Sequence, residues 1–163
     1  RYLYENYSLT IARHPSENDV RMMVRLLAFM RYADKALAFG KGMSSDEEPD
    51  LWIKDLTGAL DLSIVVRQRD ARWLRKASGR AGRVVVFSYG DRVAEVWWEQ
   101  NRAALQKLPN LTVFRFSEES TQALAALASR TMSLQCMIQD NEMLITGEGG
   151  MVRVEPLLVC WKI

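Results

Sequence analysis

Two rhythms of hydrophobic and polar positions run along the chain, one of period two and one near 3.6 residues, and their order sketches the fold. Tyr4 to Ala12 (YENYSLTIA) ends in polar–apolar alternation and reads as a strand. His14-Pro15-Ser16-Glu17 is a helix start, in which Ser16 can cap while Glu17 and Asp19 place negative charge in the first turn. Val20, Met23, Val24, Leu27, Met30 and Ala33 then recur at helical spacing towards Leu37. This predicts one buried face, with Arg21, Arg25, Arg31 and Lys35 on the solvated side.

The middle of the chain changes rhythm. Gly40, Gly42, Ser44, Ser45 and the acidic run Asp46-Glu47-Glu48 form a turn-rich connection. Leu51-Trp52-Ile53 is short and apolar, Thr57-Gly58 sets up a turn, and Leu60 to Val66 alternates, with Asp61, Ser63 and Val65 on one face. Residues 47–56 and 59–67 therefore pair as a hairpin. Asp70 caps a helix with Trp73, Leu74 and Ala77 inside and Arg72, Arg75 and Lys76 outside, closed by Gly79 and Gly82. Val84-Val85-Val86-Phe87 is a continuous β-branched run, the pattern of a central strand buried on both faces and reached by a right-handed crossover.

The rest follows the same logic. A helix over about Asp91–Leu108, in which Trp97 and Trp98 do not both face inward and read as one core and one rim residue rather than as an exposed stacking platform, precedes a strand at Leu111–Phe116, and Ser117 caps a helix over Glu118–Ala128. Met132–Gln139, Glu142–Thr146 and a run from Met151 are strands separated by turns at Asp140-Asn141 and 147–150. The sum is one α/β domain over residues 1–163, a mixed β-sheet flanked by helices with an antiparallel meander at the C-terminus.

Composition narrows the partners only a little. A net charge of +2 is too slight a bias to argue for nucleic acid by itself. No apolar run approaches the ~20 residues that cross a bilayer, no secretory leader is visible at the N-terminus, and no small-molecule cofactor motif is evident. Cys136 and Cys160 lack CxxC spacing and lie in apolar strands, so they read as reduced core cysteines of a cytoplasmic protein. His14, the one histidine, reads as a hydrogen-bonded strand-end residue, since no partner for base or metal chemistry is evident.

Six strings go further: LTIARHPSE (Leu9–Glu17), RMMVRLLAFMRYAD (Arg21–Asp34), DEEPDLW (Asp46–Trp52), LRKA (Leu74–Ala77), VWW (Val96–Trp98) and RTMSLQCMIQD (Arg130–Asp140). Through them the chain resembles the YaeQ family of bacterial proteins over essentially its whole length. The resemblance implies a variant of the PD-(D/E)XK restriction-endonuclease-like core. In that core a hairpin presents an Asp, an acidic residue two positions before a Lys, and a divalent metal. The chemistry is phosphodiester hydrolysis: two carboxylates hold Mg²⁺, which wants oxygen ligands. The metal activates a water, and a cation stabilises charge developing on the phosphate.

On this reading Asp50, Asp61 and Glu17 are the candidate Mg²⁺ ligands, and Asp61, Lys76 and Arg67 the candidate catalytic groups. Each has a plainer role as well. Asp50 and Asp61 can be turn residues at strand starts, Glu17 can answer the helix dipole, and Lys76 can be a surface lysine. The chain also departs from the family pattern, which resembles DLWIExG on this strand and here reads Asp61-Leu62-Ser63-Ile64-Val65-Val66-Arg67. The acidic position holds Val65, while Arg67 keeps a cation where the motif lysine would stand. Asp61 lies four residues back, roughly 13 Å along a strand, and cannot reach the vacant position. Two functions stay open: a protein of nuclease-like fold that binds nucleic acid or a protein partner through a basic-rimmed face with a degraded metal site, which Val65 favours, and an active Mg²⁺-dependent nuclease.

Overall fold

Two sheets carry the chain. The computed structural model describes residues 2–10, 18–33, 36–40, 48–129 and 131–160. Strand β1 (Tyr2–Thr10) pairs antiparallel with β7 (Thr131–Gln139), and β8 (Glu142–Gly147) and β9 (Gly150–Val154) extend that sheet in the order β1-β7-β8-β9. The expected meander is there, but it forms a sheet of its own and recruits the first strand. The second sheet runs β10-β6-β5-β4-β3-β2, built from β2 (Leu37–Phe39), β3 (Leu51–Lys54), β4 (Leu60–Val65), β5 (Ala81–Tyr89), β6 (Leu111–Phe116) and β10 (Leu157–Cys160). In it β5 is parallel to both β4 and β6, and the outer pairings are antiparallel.

The β3–β4 hairpin and the crossover after it form as their signals dictate. Asp55 Oδ1 accepts from the N–H groups of Thr57 and Ala59, and Gly58 takes φ +87°, where a side chain is strained. The Thr57 hydroxyl and turn amides hold the Asp55 carboxyl below its ordinary range. This turn is therefore supported above the usual carboxylate pKa, and the support is lost as pH falls through the lowered value. Asp70 caps helix α2 (Ala71–Arg80) by accepting from Trp73 N at 2.7 Å. The helix passes into β5 at Ala81 with Gly79 inside it, so it stops where the strand begins pairing and not at a glycine.

Two cores sandwich the second sheet. On one face, Val65 of β4, Val84 and Val86 of β5 and Leu111 and Val113 of β6 pack under α2 and α3 (Asp91–Leu105). On the other, Leu62, Ile64, Val85, Phe87 and Phe116 join the inner side chains of β7, β8 and β9, helix α4 (Glu118–Ala125) and helix α1 (Asp19–Arg31). Each strand thus alternates its residues between two oily layers, which is why β5 reads as a continuous apolar run.

Two expectations are corrected. The first helix ends at Arg31 and the chain turns to β2 at Leu37, and the helix is buried nearly all round. Met22 and Leu26 lie inside beside Met23 and Leu27, and Arg21, expected on the solvated side, is 5 % exposed. Trp97 and Trp98 are both buried, with ring centroids 6.2 Å apart. Successive residues project about 100° apart on a helix, and α3 has two neighbours to receive them, the sheet beneath and the segment before α2 beside it. Trp97 Nε1 donates to the carbonyl of Arg69 in that segment at 2.6 Å. Trp97→Phe removes this donor while keeping an aromatic ring, and is expected to cost roughly 1–2 kcal/mol. The readout is a lower urea midpoint with an unchanged m-value.

Candidate functional site

The hairpin and α2 spread the expected residues along β4 and do not converge them. Asp50 precedes β3 and is buried, with both carboxylate oxygens engaged. Oδ1 accepts from the Arg21 guanidinium at 2.6 Å, and Oδ2 accepts from the backbone N–H of Val66 at 2.8 Å. Its backbone is tied too, with N donating to Ile64 O and O accepting from Gly40 N. This carboxylate clips α1, the end of β4 and the start of β3 together.

Asp61 stands exposed near the start of β4. Because Leu51 pairs with Ile64, Asp50 lies level with the far end of β4 and Asp61 lies back along it, on the order of 10 Å away. Lys76 is exposed on α2 and Arg67 half-buried just past β4. Glu17 and His14 lie outside the described residues. Val65, where the motif wants a carboxylate, is 1 % exposed among Leu74, Trp97 and Trp98 and other core side chains. Among the described residues no three His, Cys, Asp or Glu side chains stand close enough to hold a metal ion. The described donors therefore do not fit Mg²⁺: one carboxylate is spent on an arginine, one is remote, and one position is a hydrocarbon.

A different set of residues does gather. A cavity of about 100 Å³ opens between β4 and α2, lined by Pro49, Leu60, Ser63, Trp73, Ala77 and the cations Lys76 and Arg80. Next to it a wider hollow of about 480 Å³ is lined by Arg67, Gln68, Arg69, Asp70 and Trp73. Trp73 lines both. Arg69 Cζ lies 4.2 Å from the centre of that ring. On the hairpin beside it, Lys54 Nζ sits 4.2 Å over the Trp52 ring, and Trp52 pairs with Ser63 in register and so shares its face of the sheet.

The 66–70 segment is held firmly. The Gln68 side chain donates to Tyr89 O at 3.0 Å and accepts from Tyr89 N at 3.3 Å, and Arg69 O receives the Trp97 indole. At the other end of α2 the Asn110 amide donates to Ser78 O and Ala81 O. Helix α2 carries Arg72, Arg75, Lys76 and Arg80 and no acidic residue within its span. The site is thus a pair of hollows with aromatic walls and cationic rims on a fixed frame. Cys136 lies in the other core, with β7, β8 and β9, where desolvation pushes its thiol up to about 11, so little thiolate exists there at neutral pH.

Lys76 and Arg67 were legible in the sequence as cations of this region. Ser63, Trp52, Arg69 and Arg80 were missed as members of a site. Their signal was a Trp and a Ser at facing positions of the hairpin, and an Arg four residues before a Trp across a helix start.

Comparisons with known proteins agree with one another. A family model described as "YaeQ protein" matches residues 1–156. The chain is 39 % identical over 155 residues to the protein described as "Uncharacterized protein YaeQ" of Escherichia coli (strain K12), covering 95 % of this chain and 84 % of that one. Among solved structures, the YaeQ protein from Xanthomonas axonopodis pv. citri superposes with a TM-score of 0.92 at 44 % identity, over 96 % of this chain and 88 % of that chain. The YaeQ protein from Pseudomonas syringae gives 0.89 at 29 % identity, over 98 % and 96 %. No helix among the described residues is long and apolar enough to cross a membrane.

Proposed function

The chain belongs to the YaeQ family, and from that premise we propose that it is a nucleic-acid-binding protein on a PD-(D/E)XK-like core that grips phosphates through the cationic rims around α2 and does not cleave them. The order α1, β3, β4, α2, β5, with a hairpin feeding a parallel crossover, supports the core assignment. The observation that carries the binding reading is the pairing of cations with aromatic faces: Arg69 on Trp73 and Lys54 on Trp52, with Arg67, Lys76 and Arg80 beside them. A phosphate backbone supplies a charge at every step, and Lys and Arg answer it by releasing counterions. Bases offer flat faces for indoles. Asp50 speaks against cleavage, since its carboxylate is committed to Arg21 and Val66.

The test is salt dependence. Fluorescence anisotropy of a labelled single-stranded oligonucleotide is expected to show binding at about 50 mM salt that weakens steeply by about 200 mM. Five cations at about 0.7 counterions each give a log–log slope near −3.5. Lys76→Ala and Arg80→Ala, both exposed, should each flatten the slope by about 0.7 without altering the melting temperature appreciably. Absence of binding at the lower salt, or a slope that neither variant moves, rejects the proposal.

A further inference from the structure

The charge around α2 has a direction. Helix α2 starts after β4 and runs back over the sheet to Ala81, which pairs with Leu60 at the start of β4. Arg72, Lys76 and Arg80 are exposed on it at four-residue spacing, so they share a face at steps of about 6 Å. No acidic residue interrupts the row. Followed towards the N-terminus of α2, the row leads to the hollow lined by Arg67, Gln68, Arg69, Asp70 and Trp73.

Past that hollow the sign of the charge reverses. Strands β4, β5 and β6 are parallel, so their C-terminal ends lie at one end of the sheet. There β5 runs into Gly90 and the exposed Asp91, and β6 into Ser117 and the exposed pair Glu118 and Glu119. These acids are neighbours, since Asp91 Oδ1 accepts from Glu118 N at 2.8 Å. On the other side the chain enters β3 through Glu48 and Pro49, beside the end of β4. A polyanion drawn along α2 is attracted as far as the hollow and repelled beyond it.

The hollow doubles the cations where the row ends. Arg67 is half-buried, and among the described residues no carboxylate pairs with it. Arg69 lies on the Trp73 ring. Gln68 between them is tied to both backbone polar groups of Tyr89, which fixes the segment that carries the two arginines. The one acid in the lining, Asp70, turns Oδ1 to Trp73 N as the helix cap. An internal phosphodiester brings one charge to such a place. A terminal phosphomonoester brings about 1.5–2 at neutral pH, with three acceptor oxygens, and planar guanidinium forks match those oxygens.

Resting on the nucleic-acid reading above, we infer that the Arg67–Arg69 hollow holds the terminal phosphate of a single strand whose backbone lies along Arg72, Lys76 and Arg80. The protein then binds strand ends in preference to strand interiors. The acids beyond the hollow set the stop, and the paired arginines recognise the extra charge.

The experiment compares three strands of one sequence, labelled internally, by anisotropy at about 100 mM salt, where screening leaves contacts and weakens distant attraction. One strand ends in hydroxyls, one carries a 5′-phosphate and one a 3′-phosphate. One phosphorylated strand is expected to bind about tenfold tighter than the hydroxyl strand, in the range of charge-assisted hydrogen bonds. The other phosphorylated strand should gain less than twofold, and the favoured end gives the polarity of the strand along α2. Arg67→Gln should bring the favoured strand within about twofold of the hydroxyl strand, and Arg67→Lys, which keeps the charge and loses the fork, should cut the preference several-fold. Arg75→Gln, an exposed cation off the row, should leave the tenfold ratio intact. Circular dichroism confirms that each variant folds. Three strands of equal affinity, an equal gain from either phosphate, or a preference that survives Arg67→Gln overturns the end site while the backbone-binding reading stands. If no strand binds even at about 50 mM salt, the backbone-binding reading fails, and the end site with it.

Discussion

Asp50→Asn is expected to lower the unfolding free energy by about 3–5 kcal/mol, the cost of breaking a buried ion pair from one side. Arg21 and Asp50 are 7 % and 8 % exposed at the side chain and 2.6 Å apart. Two charges withdrawn this far from water are tolerable only together. Asn keeps an acceptor for the Val66 N–H but removes the carboxylate charge that faces the Arg21 guanidinium in a low-dielectric interior. For a chain of this size the loss corresponds to a fall in Tm of roughly 6–20 °C. The double variant Arg21→Met with Asp50→Asn should recover much of it, because the buried guanidinium goes with the carboxylate and Met fills the space with a flexible apolar stem. The sign of the single-variant effect separates two roles. A carboxylate kept as a metal ligand is a liability in the metal-free protein, and neutralising it stabilises. A carboxylate kept as the partner of Arg21 destabilises when neutralised. A stable Asp50→Asn protein, with single-variant effects that simply add in the double variant, sinks the structural role and returns Asp50 to the list of ligands.

That residue also shows where reading from sequence stops. The hairpin, the Asp70 cap, the crossover into Val84–Phe87 and the Ser117 cap were legible because each is fixed by neighbours a few residues away. The Arg21–Asp50 pair joins positions 29 apart. An arginine at a polar position of a helical pattern looks solvated unless the helix is known to have a sheet on either side. The pairing of β1 with β7 joins strands more than a hundred residues apart, from Tyr2 with Gln139 to Thr10 with Thr131. Alternation announces a strand but not its partner, which is why one sheet was expected and two are found. Ser63 failed in the same way. On an alternating strand a serine between leucine and isoleucine reads as the solvent face, and only the placement of α2 over that face encloses it. The candidate site was half legible for this reason: cations on α2 announce themselves, whereas the walls that make a cavity come from elements apart in the chain.

Val65→Glu puts the sharpest question to the region, and the expected result is a loss of about 3 kcal/mol or more at neutral pH. The substitution supplies the acidic residue that the resemblance drawn from the sequence would put at this position. The register makes that position apt, since Leu51 pairs with Ile64 and the next pair along sets Asp50 beside Val65. The packing makes it costly, since Val65 is 1 % exposed in the core with Leu74, Val86 and both tryptophans of α3. A carboxyl group there trades the packing of two methyls for a charge with no place in water. Desolvation raises its pKa in the folded state above the unfolded value of about 4.3. The folded protein then holds the proton that the unfolded chain releases, so stability falls as pH rises through about 4.3 and on to the raised value, and the penalty is largely absent below it. Urea unfolding at acidic and at neutral pH measures both the size and the slope. The opposite outcome is equally plain: a variant as stable as the parent at neutral pH, whose Tm climbs with added Mn²⁺ while the parent's does not, would mean that position 65 opens towards Asp50 and that one substitution rebuilds a cation site by mass action. The packing favours the first result. The hydrocarbon at position 65 belongs to the core that holds α2 and α3 on the sheet, and that frame presents Trp73 and the cations around it.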